Sequence, residues 1–329
     1  MNFQTARVHA ALFTVSVIYG CFYVAVKILL KSLLLPEFIL LRFGITAIIV
    51  LIADQLIFRN PLPRKKDLLK ITQLGLTGVF IVQSLLALGL SLTTSFHSAL
   101  IMATIPIITL MISLLKGQEH YHRGKIMGML IAFAGVAVLL CSSNPRDPLP
   151  PHYVLGDGVI FLNAIAFAWF LTESRQMLTQ YNAFSFMAYC YIVSAMLFGS
   201  VFAIGNQIGR GSFGLEFLPR VGLEQWLLIA FVVLYASIGS YTLNNFALKR
   251  TRASVVAMYI FVQPVISAVA AYYLLGEPFS WSMAAAAVIT FAGVMLATTS
   301  QPVQTIPADV FLEQDQEKAS GASVEGMPG

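Results

Sequence analysis

The sequence predicts an all-α polytopic membrane protein of ten transmembrane helices, arranged as two inverted five-helix repeats. Three observations predict it. The chain is 58% hydrophobic and 11% charged over 329 residues, where a soluble domain carries about 25% charged residues. Its charges fall in short segments between apolar runs of roughly 20 residues, the length that crosses a bilayer core. The second half also repeats the first at a fixed offset of 158 residues. A water-soluble enzyme is excluded, because too little polar surface is available to cover such a core.

Apolar runs read against helix breakers place the spans at residues 8–30, 37–58, 68–92, 96–115, 124–141, 154–177, 184–205, 224–247, 253–275 and 280–299. Pro36, Pro61, Pro63, Pro145, Pro148, Pro150, Pro151, Pro219 and Pro278 all fall between spans. The first run has no small-residue cleavage site, so it is expected to remain a span. Orientation follows the Lys/Arg bias. With the N-terminus inside, fourteen basic residues lie on the inner side, in segments around Arg7, Arg64, Lys116, Arg175, Lys249 and Lys318. Lys27, Lys31, Arg146, Arg210 and Arg220 lie outside, and Arg42 is within a span. Both termini are thus expected in the cytoplasm of a cell membrane, of the bacterial inner-membrane type. The basic residues sit where membrane loops belong, so the net charge of +5 implies no nucleic-acid partner. Residues 300–329 are acidic and rich in Gly, Ser and Pro, a composition that reads as a disordered cytoplasmic tail. Cys21, Cys141 and Cys190 are scattered through apolar runs and suggest no disulfide framework.

The repeat is carried by matches without a gap. Ala99 aligns with Ala257, Pro106 with Pro264, Ile108 with Ile266 and Glu119 with Glu277. Phe133-Ala134-Gly135-Val136 aligns with Phe291-Ala292-Gly293-Val294. The offset pairs span 4 with span 9 and span 5 with span 10, so each copy holds five spans. An odd number makes the second copy enter the membrane from the opposite side, as the charge bias also indicates. Inverted repeats of this kind characterise secondary transporters, with the solute site at the repeat interface near the bilayer midplane. The organisation expected is a first repeat at residues 1–141, an outer linker at 142–153, a second repeat at 154–299 and the tail.

The five-plus-five plan, Ala247-Leu248-Lys249 before Ala253-Ser254, the mid-span Pro264, the Gly276-Glu277-Pro278 turn and the Phe-Ala-Gly-Val blocks resemble EamA-type carriers of the drug/metabolite transporter superfamily. The resemblance covers about residues 8–299. The first copy departs from the pattern, with Gly117-Gln118-Glu119-His120 in place of Leu275-Gly276-Glu277-Pro278. The resemblance implies ten helices and transport of small metabolites, often export of amino acids or related compounds.

The candidate site residues follow from polar side chains on apolar helices. In span 1, Ser16, Tyr19, Tyr23 and Lys27 share one helical face. In span 8, Ser237, Tyr241 and Asn244 do the same, with Asn245 beside them, and in span 9 Tyr259 stands one turn from Gln263. Gln83 stands alone near the middle of span 3, and Trp169 lies inside span 6 rather than at an interface. Amides and phenols can hydrogen-bond a polar small-molecule substrate. Each is also open to the plainer reading of interhelical hydrogen bonding worth about 1 kcal/mol, and Trp169 to core packing. Pro106 and Pro264 each free a backbone carbonyl in mid-span, as paired hinges or as tolerated kinks. Lys27 and Arg42 are intramembrane charges that either serve the solute path or snorkel outward. Glu173 lies near the inner end of span 6, where Arg175 could neutralise it. No carboxylate occurs at mid-depth, so a proton relay is not visible and a coupling ion stays open. Gly128, Ala132 and Gly135, with their mates Ala286, Thr290 and Gly293, read as close helix packing. Glu119-His120-Tyr121-His122 reads as a solvated loop rather than a metal site. No Gly-Lys-Ser/Thr phosphate loop, His-Glu-x-x-His or Gly-x-Ser-x-Gly motif is present. The sequence therefore implies no cofactor, no metal and no ATP-driven pumping by this chain alone. A membrane-embedded enzyme and a channel are the rival classes.

Overall fold

A computed structural model of the chain describes residues 3–55, 63–93, 98, 101–142, 151–207, 215–275 and 281–299. The regular elements among them are all helical: α1 (Phe3–Leu29), α2 (Leu35–Ala53), α3 (Lys65–Leu92), α4 (Ile105–Leu115), α5 (Arg123–Ser142), α6 (Tyr153–Leu178), α7 (Ala183–Gln207), α8 (Leu223–Arg250), α9 (Ala253–Met258, continued through a 3₁₀ turn at Tyr259–Phe261 into Val262–Leu275) and α10 (Trp281–Thr299). A short 3₁₀ helix at Leu215–Arg220 precedes α8. Among the described residues, seven helices are long and apolar enough to cross a membrane by length and composition, and Ile105–Leu115 and Ala284–Thr299 are shorter apolar helices. Large apolar side chains such as Leu69, Leu155, Val288 and Met295 are exposed around the bundle, a surface suited to lipid. The acidic tail and Glu277 lie outside the described residues.

Local sequence accounts for the helix ends. Pro36 sits in the first turn of α2, and Glu37 reaches back to accept the Leu34 N–H at 2.7 Å, covering a donor that the helix start leaves free. After α4, Gly117 takes φ 64°, and Gln118 N–H bonds back to the Ser113 carbonyl at 2.8 Å. This left-handed closure suits glycine, and it turns the chain so that Glu119 folds inward.

Three helices are not regular throughout. α3 widens into a π turn at Leu76–Ile81 and α8 at Val232–Gly239. An offset of 158 carries the first onto the second. α9 is interrupted by its 3₁₀ turn just before Pro264, and α4 starts at Ile105 directly before Pro106. Proline has no N–H for the carbonyl four residues back. The carbonyls four residues back are those of Met102 and Ile260.

The most extensive helix contact is α5 against α10. A Cβ on Gly135 would stand 2.5 Å from Thr290 Oγ1 and 2.6 Å from its backbone nitrogen. A Cβ on Gly293 would stand 2.3 Å from the Ala132 nitrogen. The backbones touch because no side chain intervenes. The two contacts exchange under the 158-residue offset. Other pairings exchange in the same sense when α1–α5 are matched to α6–α10: α3 packs on α6 as α8 on α1, α1 on α9 as α6 on α4, and α3 on α7 as α8 on α2.

Charged ties close the end of the bundle where α3 begins and α6 ends. Glu173 pairs with both Lys70 of α3 and Lys116 at the end of α4. The partner expected from sequence, Arg175, is not the one it uses. Residues two apart on a helix point to different sides, and tertiary packing brings two ammonium groups to Glu173 instead. Glu119 is also not a solvated loop residue. It is 3% exposed, paired with Lys125, and accepts the Ser254 N–H at 3.2 Å and its hydroxyl at 2.7 Å. The carboxylate thereby caps the start of α9, where free backbone donors and the helix dipole favour an anion. Between α6 and α7, the Tyr181 hydroxyl donates to Asp67 at 2.7 Å, and burial together with that bond pushes its phenol pKa up.

Candidate functional site

Five helices meet at one internal cavity. α1 contributes Ser16, Tyr19 and Tyr23; α3 contributes Gln83; α6 contributes Asn163; α8 contributes Tyr241 and Asn244; α9 contributes Tyr259 and Gln263. Val82, Leu86, Met102, Phe167 and Leu171 fill in apolar wall between them. The space between atoms amounts to about 560 Å³ with its open mouth, but the centre of a water-sized sphere has only about 40 Å³ to occupy. The polar stripes of spans 1, 8 and 9, which the sequence could only place on separate helices, face this common space.

The polar groups are held by one another. Gln83 Nε2 donates to the Tyr241 hydroxyl at 2.7 Å, and that hydroxyl donates to the Gly78 carbonyl, inside the π turn of α3, at 3.2 Å. Gln83 and Tyr241 stand 158 residues apart, so they occupy matching positions of the two halves and bond across the line between them. Tyr23 donates to Gln263 Oε1 at 3.3 Å. Ser16 donates to the Tyr259 carbonyl at 2.8 Å, within the 3₁₀ turn, and the Tyr259 hydroxyl lies 2.7 Å from His9 Nδ1. Irregular backbone at membrane depth is thus met by side chains from neighbouring helices, as lipid demands. The Met102 and Ile260 positions opposite the two prolines both line the cavity.

The remaining candidates go elsewhere. Trp169 is not among the lining residues, and its ring centroid lies 5.6 Å from Lys70 Nζ, near the Glu173 ties. Ser237 points away from the cavity and accepts from Arg42 Nε at 3.0 Å. Arg42 is 3% exposed and stacks 4.6 Å from the Phe22 centroid, so it is buried in the bundle and does not snorkel. The Lys27 side chain lies outside the described residues. Asn245 turns to the Ala183 carbonyl at 3.4 Å. Asn163, which the sequence reading passed over, lines the cavity and donates to the Val82 carbonyl. Its signal was available, since a lone amide in an apolar run is the same feature that singled out Gln83. Among the described residues, no group of three or more His, Cys, Asp and Glu could hold a metal ion.

Comparison with known proteins agrees with this architecture. A solved crystal structure, 19% identical, superposes with a TM-score of 0.70 over 89% of this chain and 97% of that one. An uncharacterized transporter of Archaeoglobus fulgidus is 25% identical over 240 residues, 73% of this chain and 79% of the relative. The uncharacterized transporter YyaM of Bacillus subtilis is 24% identical over 260 residues, 78% of this chain and 82% of the relative. Residues 7–141 and 154–299 each match the EamA-like transporter family. The chain is a member of the EamA-like transporter family, a multi-pass membrane protein.

Proposed function

We propose that the chain is a ten-span secondary carrier that moves a small polar or amphipathic metabolite by alternating access through the cavity between two inverted five-helix repeats. The repeats are residues 1–141 and 154–299, joined by an outer linker at 142–153 and followed by a cytoplasmic tail at 300–329. Both termini face the cytoplasm of a bacterial inner membrane. Export is the direction, and amino acids or related compounds are the substrate class, that the family resemblance implies. Tyr19, Tyr23, Gln83, Tyr241, Asn244, Tyr259 and Gln263 bind the solute, and Pro106 and Pro264 are the hinges.

The observation that carries this reading is the Gln83–Tyr241 bond, made by residues 158 positions apart on the wall of a central cavity. A site shared by two equivalent halves can be reached from either side as the halves exchange conformations. As it stands the cavity has room for water and not for a metabolite, so loading requires the walls to part. The breaks beside Pro106 and Pro264 supply places to bend, and the Glu173 and Glu119 ties are contacts that must release for the inner side to open.

The test is uptake of labelled metabolites into proteoliposomes containing the full chain. A carrier gives saturable uptake and counterflow with at least one solute of the panel. Flux that neither saturates nor shows counterflow identifies a channel and overturns the proposal.

A further inference from the structure

Two buried carboxylates of the bundle are ion-paired. Glu119 has Lys125, and Glu173 has Lys70 and Lys116. Arg42 has no carboxylate within ion-pair distance among the described residues. Its Nε is spent on Ser237 and its face on Phe22, while Nη2 is buried and finds no acceptor. A guanidinium cannot shed its proton to relieve the cost of burial. A lone charge at membrane depth is expensive, and such residues mark solute pathways.

Its position relates it to the cavity. The Phe22 ring on which Arg42 stacks meets the rings of Tyr19 and Tyr23 edge-on, at 5.6 and 5.8 Å between centroids. Both tyrosines line the cavity. Ser237 lies one helical turn before Tyr241 on α8, and Tyr241 also lines the cavity. The cation therefore stands one layer of side chains behind the wall formed by α1 and α8. Little in that layer screens it: Phe22 is apolar and the phenols are neutral. In a low-dielectric surround an uncompensated charge is felt across several ångströms.

We propose that the cavity takes solutes bearing a carboxylate-type anionic group, with Arg42 as the counter-charge that loading completes. This rests on the carrier reading and narrows its substrate class. An anion in the cavity would be attracted by the guanidinium behind the wall, and a solute with the same shape but no charge would not. A cation of equal size would be repelled.

The probes are matched pairs that differ only in charge: N-acetyl-phenylalanine against N-acetyl-phenylalaninamide, and lactate against lactamide. Each is titrated against the melting temperature of the purified full chain in detergent. The acid of at least one pair is expected to stabilise the protein with an apparent Kd at least about tenfold below that of its amide, about 1.4 kcal/mol. Arg42→Gln is expected to erase the difference, and Arg42→Lys to keep part of it by keeping the charge. Because the acid–amide comparison is made first on the unaltered chain, the result does not depend on a variant that folds. Equal response to acid and amide, no response to any probe, or an acid preference that survives in Arg42→Gln overturns the inference. Proteoliposome uptake separates the two claims: saturable uptake with no acid preference removes this one and leaves the carrier standing, whereas no saturable uptake of any solute removes both.

Discussion

At the scale of single residues, the cavity shows how a polar group in an apolar helix gains a role. Tyr23, Gln83, Tyr241 and Gln263 each find a partner on another helix, and such a bond contributes on average only about 0.6–1 kcal/mol within a membrane. Gluing helices together is thus a weak explanation for placing so many of them around one space. Gln263→Leu separates the two roles. Leucine suits a lipid-dissolved helix, so folding stability in detergent is expected to fall by no more than about 1 kcal/mol. Apparent affinity for the transported solute is expected to fall about 5- to 150-fold, since a site deprived of a needed polar partner loses about 1–3 kcal/mol. Tyr23→Phe and Asn244→Leu should act in the same direction from other helices. Normal affinity and rate in all three would remove these side chains from solute binding.

The residue scale also marks where sequence reading stops. Helical spacing put Tyr19 and Tyr23 on one face and Tyr241 and Asn244 on another, but spacing within a helix carries no information about which faces meet. That required the packing of α1, α8 and α9. Trp169 is instructive in the other direction. It was singled out for its depth in span 6, and depth is shared by residues on every side of a helix. Its side of α6 turns to Lys70. Glu119 falls between two spans, in a segment whose spacing lacks a complete metal-ligand set, and so reads as solvated loop. The capping role that buries it depends on Ser254, distant in sequence.

Helix limits are legible in part, because a run of apolar residues ending in charge or proline records bilayer thickness. The unbroken helix described within the span read at 96–115 begins only at Ile105, however, and the helix of the span read at 8–30 starts at Phe3. The span read at 253–275 and the helical residues Ala253–Leu275 coincide, and that read at 154–177 differs by one residue at each end. The π turns were not legible. One extra residue per turn changes no composition, and the Tyr241 bond to the Gly78 carbonyl comes from a residue distant in sequence. The glycine faces were read as packing, and the contact they make gives a test. Gly135→Ala and Gly293→Ala each force a methyl into backbone atoms of the opposite helix. Each is expected to cost about 1–3 kcal/mol, the usual penalty of overpacking a tight contact. Thermal unfolding in detergent measures it. Since the two contacts exchange under the repeat offset, their costs should be similar. A neutral effect at both would mean that α5 and α10 approach less closely than the structure has them.

For the whole molecule, the central question is whether the two halves are inverted in the membrane. The charge bias and the odd number of spans per copy argue for it from sequence. From the fold, the exchange of Gly135–Thr290 with Gly293–Ala132, the matching π turns and the Gln83–Tyr241 bond support the same reading. Inversion has a consequence that none of these contacts measures: equivalent turns must face opposite sides of the bilayer. Tyr121 is exposed in the turn after α4, and the 158-residue offset carries it to Phe279, which lies outside the described residues. With Cys21, Cys141 and Cys190 replaced by serine, Tyr121→Cys is expected to react with a membrane-impermeant maleimide only when the cytoplasmic face is presented. Phe279→Cys is expected to react only from the opposite face. Both sites labelling from one face would end the inverted-repeat reading and, with it, the argument that the cavity is served alternately from two sides. The cavity and its polar wall would remain, but nothing would then make its two approaches equivalent.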